Sequence, residues 1–295
     1  MPLGANGQKG DILEKLRIII KKYGHWLAAL LIFAVIMAGI GCYRELQKET
    51  YRIVCLGDSI IGNERGKDSI TGIIEALLGE PVYNGAFGGS TMSCRMAEDR
   101  AAVTTDTLSL ARLSEAIAQK DFYVQNAGVT RCAVMEYFPE AVYGFQNIDF
   151  DNTQVLIIEH GVNDYLTGAK LDDSQDPYNV YTFGGALRSS LENLKAAYPD
   201  MRIILVTPTY CWYLAKKSNC EMVDNGNGIL EDYVNLELEI AAQYGIEVLD
   251  NYHESGIGDS GTFEEWEVYT QDGLHLNETG RRLVAERIVQ YIREG

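Results

Sequence analysis

The chain is short of positive charge. Its 295 residues carry 25 Lys and Arg against 42 Asp and Glu, a formal net charge of −17. Residues 1–42 hold five of those cations and two of the acids, which leaves −20 on the remainder. A surface of that sign repels nucleic acid and excludes binding through a basic patch. The six cysteines, Cys42, Cys55, Cys94, Cys132, Cys211 and Cys220, include no C-x-x-C pair, so a zinc site is not expected. Cys211 and Cys220 are a candidate bridge in an oxidising exterior, which spacing alone leaves open. G-x-S-x-G is missing, and with it the elbow of a standard α/β-hydrolase. Neither G-x-G-x-x-G nor a P-loop Gly-Lys-Ser/Thr is present, which argues against nucleotide binding. No register of "DNGNGILED" matches a calcium loop. Internal repeats and low-complexity tracts are absent, histidines number only four, and no cofactor is expected.

What is abundant at the N-terminus is apolar. Residues 23–43 carry no formal charge, and 26–42 are wholly apolar or glycine. About 20 such residues cross a bilayer as a helix. Lys15, Arg17, Lys21 and Lys22 lie just before the run and Glu45 just after it. The positive-inside bias predicts a cytoplasmic basic segment at 1–22, a signal-anchor helix at 23–43 and a linker at 44–50. Residues 51–295 are then a catalytic domain outside the cytoplasm, in a single-pass membrane protein. A cleaved signal peptide, lipoprotein processing at Cys42 and a buried core helix are the competing readings. A monomer is expected.

Strand-like runs recur at 53–56, 82–84, 155–158, 203–206 and 246–249. They are nearly continuously apolar, as strands covered on both faces should be. Between them lie helical stripes: Ile70, Ile73, Ile74, Leu77 and Leu78 behind a cap at Asp68 or Ser69, then Leu187, Leu191 and Leu194. Val284, Ile288, Tyr291 and Ile292 form a last one. The alternation predicts an α/β fold with a parallel sheet and helices on both faces. Residues 91–152, rich in aromatics, read as an elaboration beside the site.

Unusual residues gather where those strands end, which is where open α/β sheets bind ligands. The first strand runs into Gly57-Asp58-Ser59, the second into Asn84-Gly85-Ala86-Phe87-Gly88-Gly89-Ser90-Thr91, the third into Gly161-Val162-Asn163-Asp164. Asp272-Gly273-Leu274-His275 precedes the last helix. A serine needs a base to become nucleophilic. His25 lies at the membrane segment, and His160 reads as a satisfied structural histidine. His253 follows the fifth strand with no special partner expected. His275 has Asp272 three residues before it, close enough for a carboxylate to hold one ring nitrogen while the other faces Ser59. Asn163 can offer an amide N–H, and Gly89 a backbone N–H, to a developing oxyanion. Asn277-Glu278-Thr279 is a glycosylation sequon whose position favours a structural role.

These four blocks, taken in order, resemble the GDSL, or SGNH, hydrolase family over about residues 51–292. The resemblance implies a flavodoxin-like three-layer α/β/α sandwich with a mainly parallel five-stranded sheet. It implies Ser59 as nucleophile, His275 and Asp272 as its partners, and an oxyanion hole of Ser59, Gly89 and Asn163. Ala86 stands where the family's glycine block more often has glycine. Family members are mostly metal-free esterases acting on lipids, thioesters or acetylated sugars. The expected activity is O-deacetylation of a carbohydrate. Alternatives are a lipid or lysophospholipid acylhydrolase, an acyltransferase, or a silent glycan-binding domain. Tyr210, Trp212 and Tyr213, after the fourth strand, are candidates for stacking on a sugar ring, for holding an acyl chain, or for plain packing.

Overall fold

The computed structural model describes residues 21–26, 28–39, 49–95, 103–131 and 134–295. Residues 1–20 of the expected cytoplasmic segment, 40–43 of the expected anchor, 44–48 of the linker, and Cys132 lie outside the described residues. Two compact units result, Met1–Lys48 and Glu49–Gly295. In the first, a helix over Lys21–Gly39 is long and apolar enough to cross a membrane, with mean hydropathy 1.5. A signal sequence near the N-terminus passes the same test.

In the second unit, five apolar segments pair side by side: β1 (Ile53–Gly57), β2 (Val82–Asn84), β3 (Val155–Glu159), β4 (Arg202–Val206) and β5 (Glu247–Leu249). Their order is β2-β1-β3-β4-β5 and every pairing is parallel. The expected strands are all present, 82–84 unchanged and the other four differing by one residue at one end. Every residue of β1 and β3 is buried, with no polar alternation. That pattern is stable only if helices cover both faces.

They do. Along the chain come α1 (Ser59–Gly62), α2 (Ile70–Leu78), α3 (Leu110–Gln119), α4 (Phe138–Asn147), α5 (Val162–Thr167), α6 (Phe183–Ala197), α7 (Leu230–Tyr244) and α8 (Glu278–Glu294). Packing joins α2 to α8 in one layer, and α3 to α6 and α6 to α7 in the other. This is the flavodoxin-like sandwich. The cap of α2 is Ser69, whose side chain accepts the Gly72 N–H; Gly79, at φ +71°, ends the helix in the left-handed region.

Described residues of the 91–152 segment pack beside β2 through side chains. Phe145 of α4 stands among Phe122, Phe150, Tyr83 and Phe87, with ring centroids 5.7, 6.3, 5.3 and 6.1 Å away. The Tyr83 hydroxyl, on β2, donates to the Ala141 carbonyl at 2.6 Å. An edge strand left bare would invite pairing with another chain; here the Val82 N–H donates to Glu75 Oε2 and the Asn84 carbonyl accepts from Arg65. A feature not expected from the sequence is a short antiparallel ladder, Trp212–Tyr213 with Ser218–Asn219, after β4. It resolves the question of the aromatics there: Tyr210 and Trp212 are buried packing residues, and Tyr213 is partly buried.

Phe145 is almost fully buried, and truncating such a ring leaves a cavity. Phe145→Ala is expected to cost about 3–5 kcal/mol of unfolding free energy in urea titrations. A loss below about 1 kcal/mol would mean that this aromatic cluster does not hold the elaboration.

Candidate active site

Ser59 owes its position to the way β1 stops. A side chain at Gly57 would stand 2.9 Å from the Glu159 carbonyl of the neighbouring strand, so the strand end needs glycine. Asp58 then caps α1, its Oδ1 accepting the Ile60 N–H at 2.9 Å. Ser59 is the first residue of that short helix. Its N–H has no acceptor among the described residues, as expected at a helix start.

The Asp272–His275 loop reaches Ser59 from the opposite end of the sequence. Thr270 and Leu276 form an antiparallel bridge, and Gln271 N–H donates to the His275 carbonyl at 2.7 Å. Gly273 turns the chain at φ +90°, with its N–H on Thr270 Oγ1. Asp272 Oδ1 accepts the backbone N–H groups of Leu274 (3.0 Å) and His275 (2.8 Å). Its Oδ2 lies 2.7 Å from His275 Nδ1, and His275 Nε2 lies 3.0 Å from Ser59 Oγ. With a carboxylate on Nδ1, the hydrogen bonds assign the proton to Nδ1, and Nε2 accepts from the serine hydroxyl. Burial pushes the Asp272 carboxyl up, but the bonds from His275 and Leu274 outweigh it and hold it below its ordinary value. The carboxylate therefore stays ionised at neutral pH.

The other two blocks meet beside this chain of bonds. Gly89 adopts φ +79°, and its N–H has no acceptor among the described residues. Asn163, in the first turn of α5, donates from Nδ2 to the Ser90 carbonyl at 3.0 Å. Its neighbour Asp164 accepts from Met92 N–H (2.7 Å) and Ser93 N–H (3.0 Å). Asn163 thus ties the G-x-N-D block to the glycine block, and Asp164 ties it to the two residues that follow that block. The structure brings Ser59, His275 and Asp272 into direct contact and sets Gly89, on a loop, and Asn163, in the first turn of α5, at the same sheet end.

A family model for GDSL-like lipase/acylhydrolase matches residues 55–283. The chain belongs to that family. The GDSL hydrolase shares its fold with a solved crystal structure at 24% identity, TM-score 0.59, covering 85% of this chain and 98% of the other. A protein from Lactobacillus plantarum gives 21% identity and TM-score 0.59, covering 83% and 97%. A carbohydrate acetylesterase family member from Sinorhizobium meliloti gives 15% and 0.47, covering 83% and 98%. No curated protein matches the chain. Family membership makes the protein a serine ester hydrolase.

Histidine needs one correction. His253 does have a partner, and at the same spacing as His275: Asp250 Oδ2 lies 2.8 Å from its Nδ1. Its Nε2 faces Glu231 at 3.4 Å, not a hydroxyl. Burial pulls this imidazole down, but the two carboxylates raise it overall, so it serves an ion-pair cluster. His160 is fully buried with Nε2 3.2 Å from Ser90 Oγ, and burial takes it down to about 3, so it is neutral. Asn277 is structural: its Nδ2 donates to the Val268 carbonyl at 3.0 Å and its Oδ1 caps α8.

Several residues near the GDSL hydrolase's site were invisible in the motifs. Arg65 donates to the carbonyls of Gly62, Asn84 and Ala86, and its guanidinium lies 3.9 Å from the Tyr137 ring centre. Tyr137 in turn accepts the Gly88 N–H at 2.9 Å. Together they clamp the loop that carries Gly89, and Ala86 fits there fully buried. Behind Ser59 lies a group of buried acids. Burial raises Asp58 to about 7, against the Ile60 N–H bond and nearby His275. Burial, then the proximity of Asp58 and Glu237, holds Glu159 well above the ordinary carboxylate range. Glu237 on α7 is raised chiefly by burial, and neither of its oxygens has a hydrogen-bond partner among the described residues.

A carboxyl raised by the fold keeps its proton in the native state and loses it on unfolding above about pH 4. The unfolded chain then binds fewer protons, so such groups lower stability as pH rises. Glu237→Gln removes one of them. Relative to wild type, its unfolding free energy is expected to grow from pH 4 to pH 8, by up to about 1.4 kcal/mol per pH unit. A flat or opposite difference in urea titrations would show that Glu237 is not held neutral.

Proposed function

We propose that this GDSL hydrolase is a membrane-tethered, extracytoplasmic esterase that removes a small acyl group, acetyl foremost, from a carbohydrate. The observation carrying the chemistry is the unbroken chain of bonds from Ser59 Oγ through His275 to Asp272. Ser59 Oγ attacks the acyl carbonyl carbon as its proton passes to His275 Nε2. Asp272 fixes the ring and stabilises the imidazolium. The N–H groups of Ser59 and Gly89, with the Asn163 amide, receive the negative oxygen. His275 then protonates the leaving alcohol, and a water activated by the same imidazole frees the acid from Ser59.

Two features favour a small acyl group on a sugar. The pocket beside Ser59 is about 190 Å³ and is lined by the polar side chains of Asn63, Glu64, Gln271 and Arg281. That suits a short acyl group or hydroxyls better than a long chain. The charge of −20 beyond residue 42 opposes docking on anionic lipid. For the tether, the support is the apolar helix over Lys21–Gly39 with its basic N-terminal flank; the positive-inside bias then favours a catalytic domain, 51–295, on the outside.

A membrane-impermeant phosphonate applied to intact cells is expected to label the wild type and not Ser59→Ala. Labelling only after lysis would reverse the topology, and equal labelling of the variant would remove Ser59 as nucleophile. In the same preparation His275→Ala should lose about three or more orders of magnitude in kcat, while His253→Ala stays near wild type. Full activity in His275→Ala, or loss only in His253→Ala, would exchange their roles.

On model esters the highest kcat/KM is expected for two-carbon acyl groups, with a steep fall by eight carbons, and acetate should be released from O-acetylated polysaccharide. Preference for long chains, or turnover of lysophospholipid with none of acetylated glycan, favours the lipid acylhydrolase. Acyl groups appearing on an added sugar instead of as free acid favour the transferase.

A further inference from the structure

Cys211 and Cys220 take no part in the site described above. The antiparallel ladder pairs Trp212 with Asn219, so one step further along its register sets Cys211 opposite Cys220. Residues directly opposed in antiparallel strands have Cα atoms about 4.5–5.5 Å apart. A disulfide spans that distance without moving the backbone. Backbone bonds fix the pair: Cys220 N–H donates to the Cys211 carbonyl at 3.0 Å, and Cys211 N–H points to Cys220 Sγ at 3.4 Å. The Tyr252 hydroxyl stands 3.8 Å from the same sulfur.

The two thiols are not equivalent. Cys220 sulfur accepts from the Cys211 thiol, the Cys211 N–H and the Tyr252 hydroxyl. These donors outweigh burial and hold Cys220 below its ordinary value, whereas Cys211, as donor to Cys220 and buried, is pushed well up. The hydrogen bonds favour Cys220 as the attacking sulfur and Cys211 as the proton holder, the division of labour that dithiol exchange requires.

We propose that Cys211 and Cys220 are a redox pair that closes to a disulfide by exchange with an external disulfide, such as the oxidised form of a small thiol. Cys220 thiolate attacks one sulfur of the oxidant and displaces a thiolate. Cys211 then gives up its proton and attacks Cys220 sulfur, displacing the second. One S–S bond forms in the chain and one breaks in the oxidant, which departs as two thiols carrying the two electrons, the proton from Cys211 and the proton Cys220 gave to solvent on ionising. Both sulfurs are buried, so the exchange occurs while the hairpin is open or before it docks during folding.

The bond would brace the site. Trp212, next to Cys211, donates its N–H to the Gly273 carbonyl at 2.7 Å, and any side chain at Gly273 would strike the Trp212 carbonyl. The cysteine-bearing hairpin is therefore the wall against which the Asp272–His275 loop is seated. Cross-linking it restricts the unfolded chain and keeps that wall in place.

The test reads mass and is independent of esterase activity. The full chain is incubated with glutathione disulfide, alkylated while denatured, and digested with trypsin without reductant. Lys216 and Lys217 separate the two cysteines, and the next cleavage site is Arg281. The expected product joins peptide 203–216 to peptide 218–281, about 2 Da lighter than the two free peptides together, and disappears on reduction. Oxidised wild type should melt several degrees above the reduced protein. Cys211→Ser should show neither effect; if that variant does not fold, the wild-type peptide map decides alone. Recovery of both cysteines as separately alkylated peptides, or of either one bonded to a different cysteine, would overturn the proposal.

Discussion

The hydrogen bond between His275 Nε2 and Ser59 Oγ joins residues 216 positions apart, and most of the architecture bears on it. The serine is delivered by the end of β1, where Gly57 permits close strand approach and Asp58 caps the short helix. The imidazole is delivered by a loop whose geometry is set by Gly273 in the left-handed region, by backbone bonds onto Asp272, and by Asn277 capping α8. The bond itself is modest in energy. What the fold supplies is placement, because an ångström of error between reacting groups costs far more rate than one surface hydrogen bond costs stability.

Much of this was legible in the sequence for a physical reason. Strands buried on both faces must be nearly pure hydrocarbon, so β1 and β3 advertise themselves, and polar residues at their ends stand out against that background. Ser59, Asn163 and the glycine block were found that way. Asp272 and His275 were found by spacing, which proved insufficient alone: Asp250 and His253 have the same spacing and the same kind of carboxylate bond. The difference lies in what faces the second ring nitrogen, Ser59 in one case and Glu231 in the other, and neither contact is local in sequence.

The rest was hidden because its chemistry runs through the backbone. Arg65 satisfies three carbonyls and Tyr137 one N–H, and no motif records a bond to a main-chain atom. A partly buried guanidinium is best held by such a set of acceptors, since an unpaired charge withdrawn from water is costly. The aromatic-rich stretch at 91–152 marked that something would pack beside the site but not that Tyr137 would reach into the glycine loop. The two-residue ladder after β4 was likewise too short to show as a periodic pattern.

The buried acids behind Ser59 alter how the protein's charge should be counted. Composition assigns every Asp and Glu a full negative charge and gives an isoelectric point near 4.6. Burial raises Glu159 and Glu237 well above the ordinary carboxylate range and raises Asp58 to about 7. The folded molecule is therefore less anionic than its sequence. Unfolding at neutral pH releases protons and increases electrophoretic mobility toward the anode beyond any change due to shape.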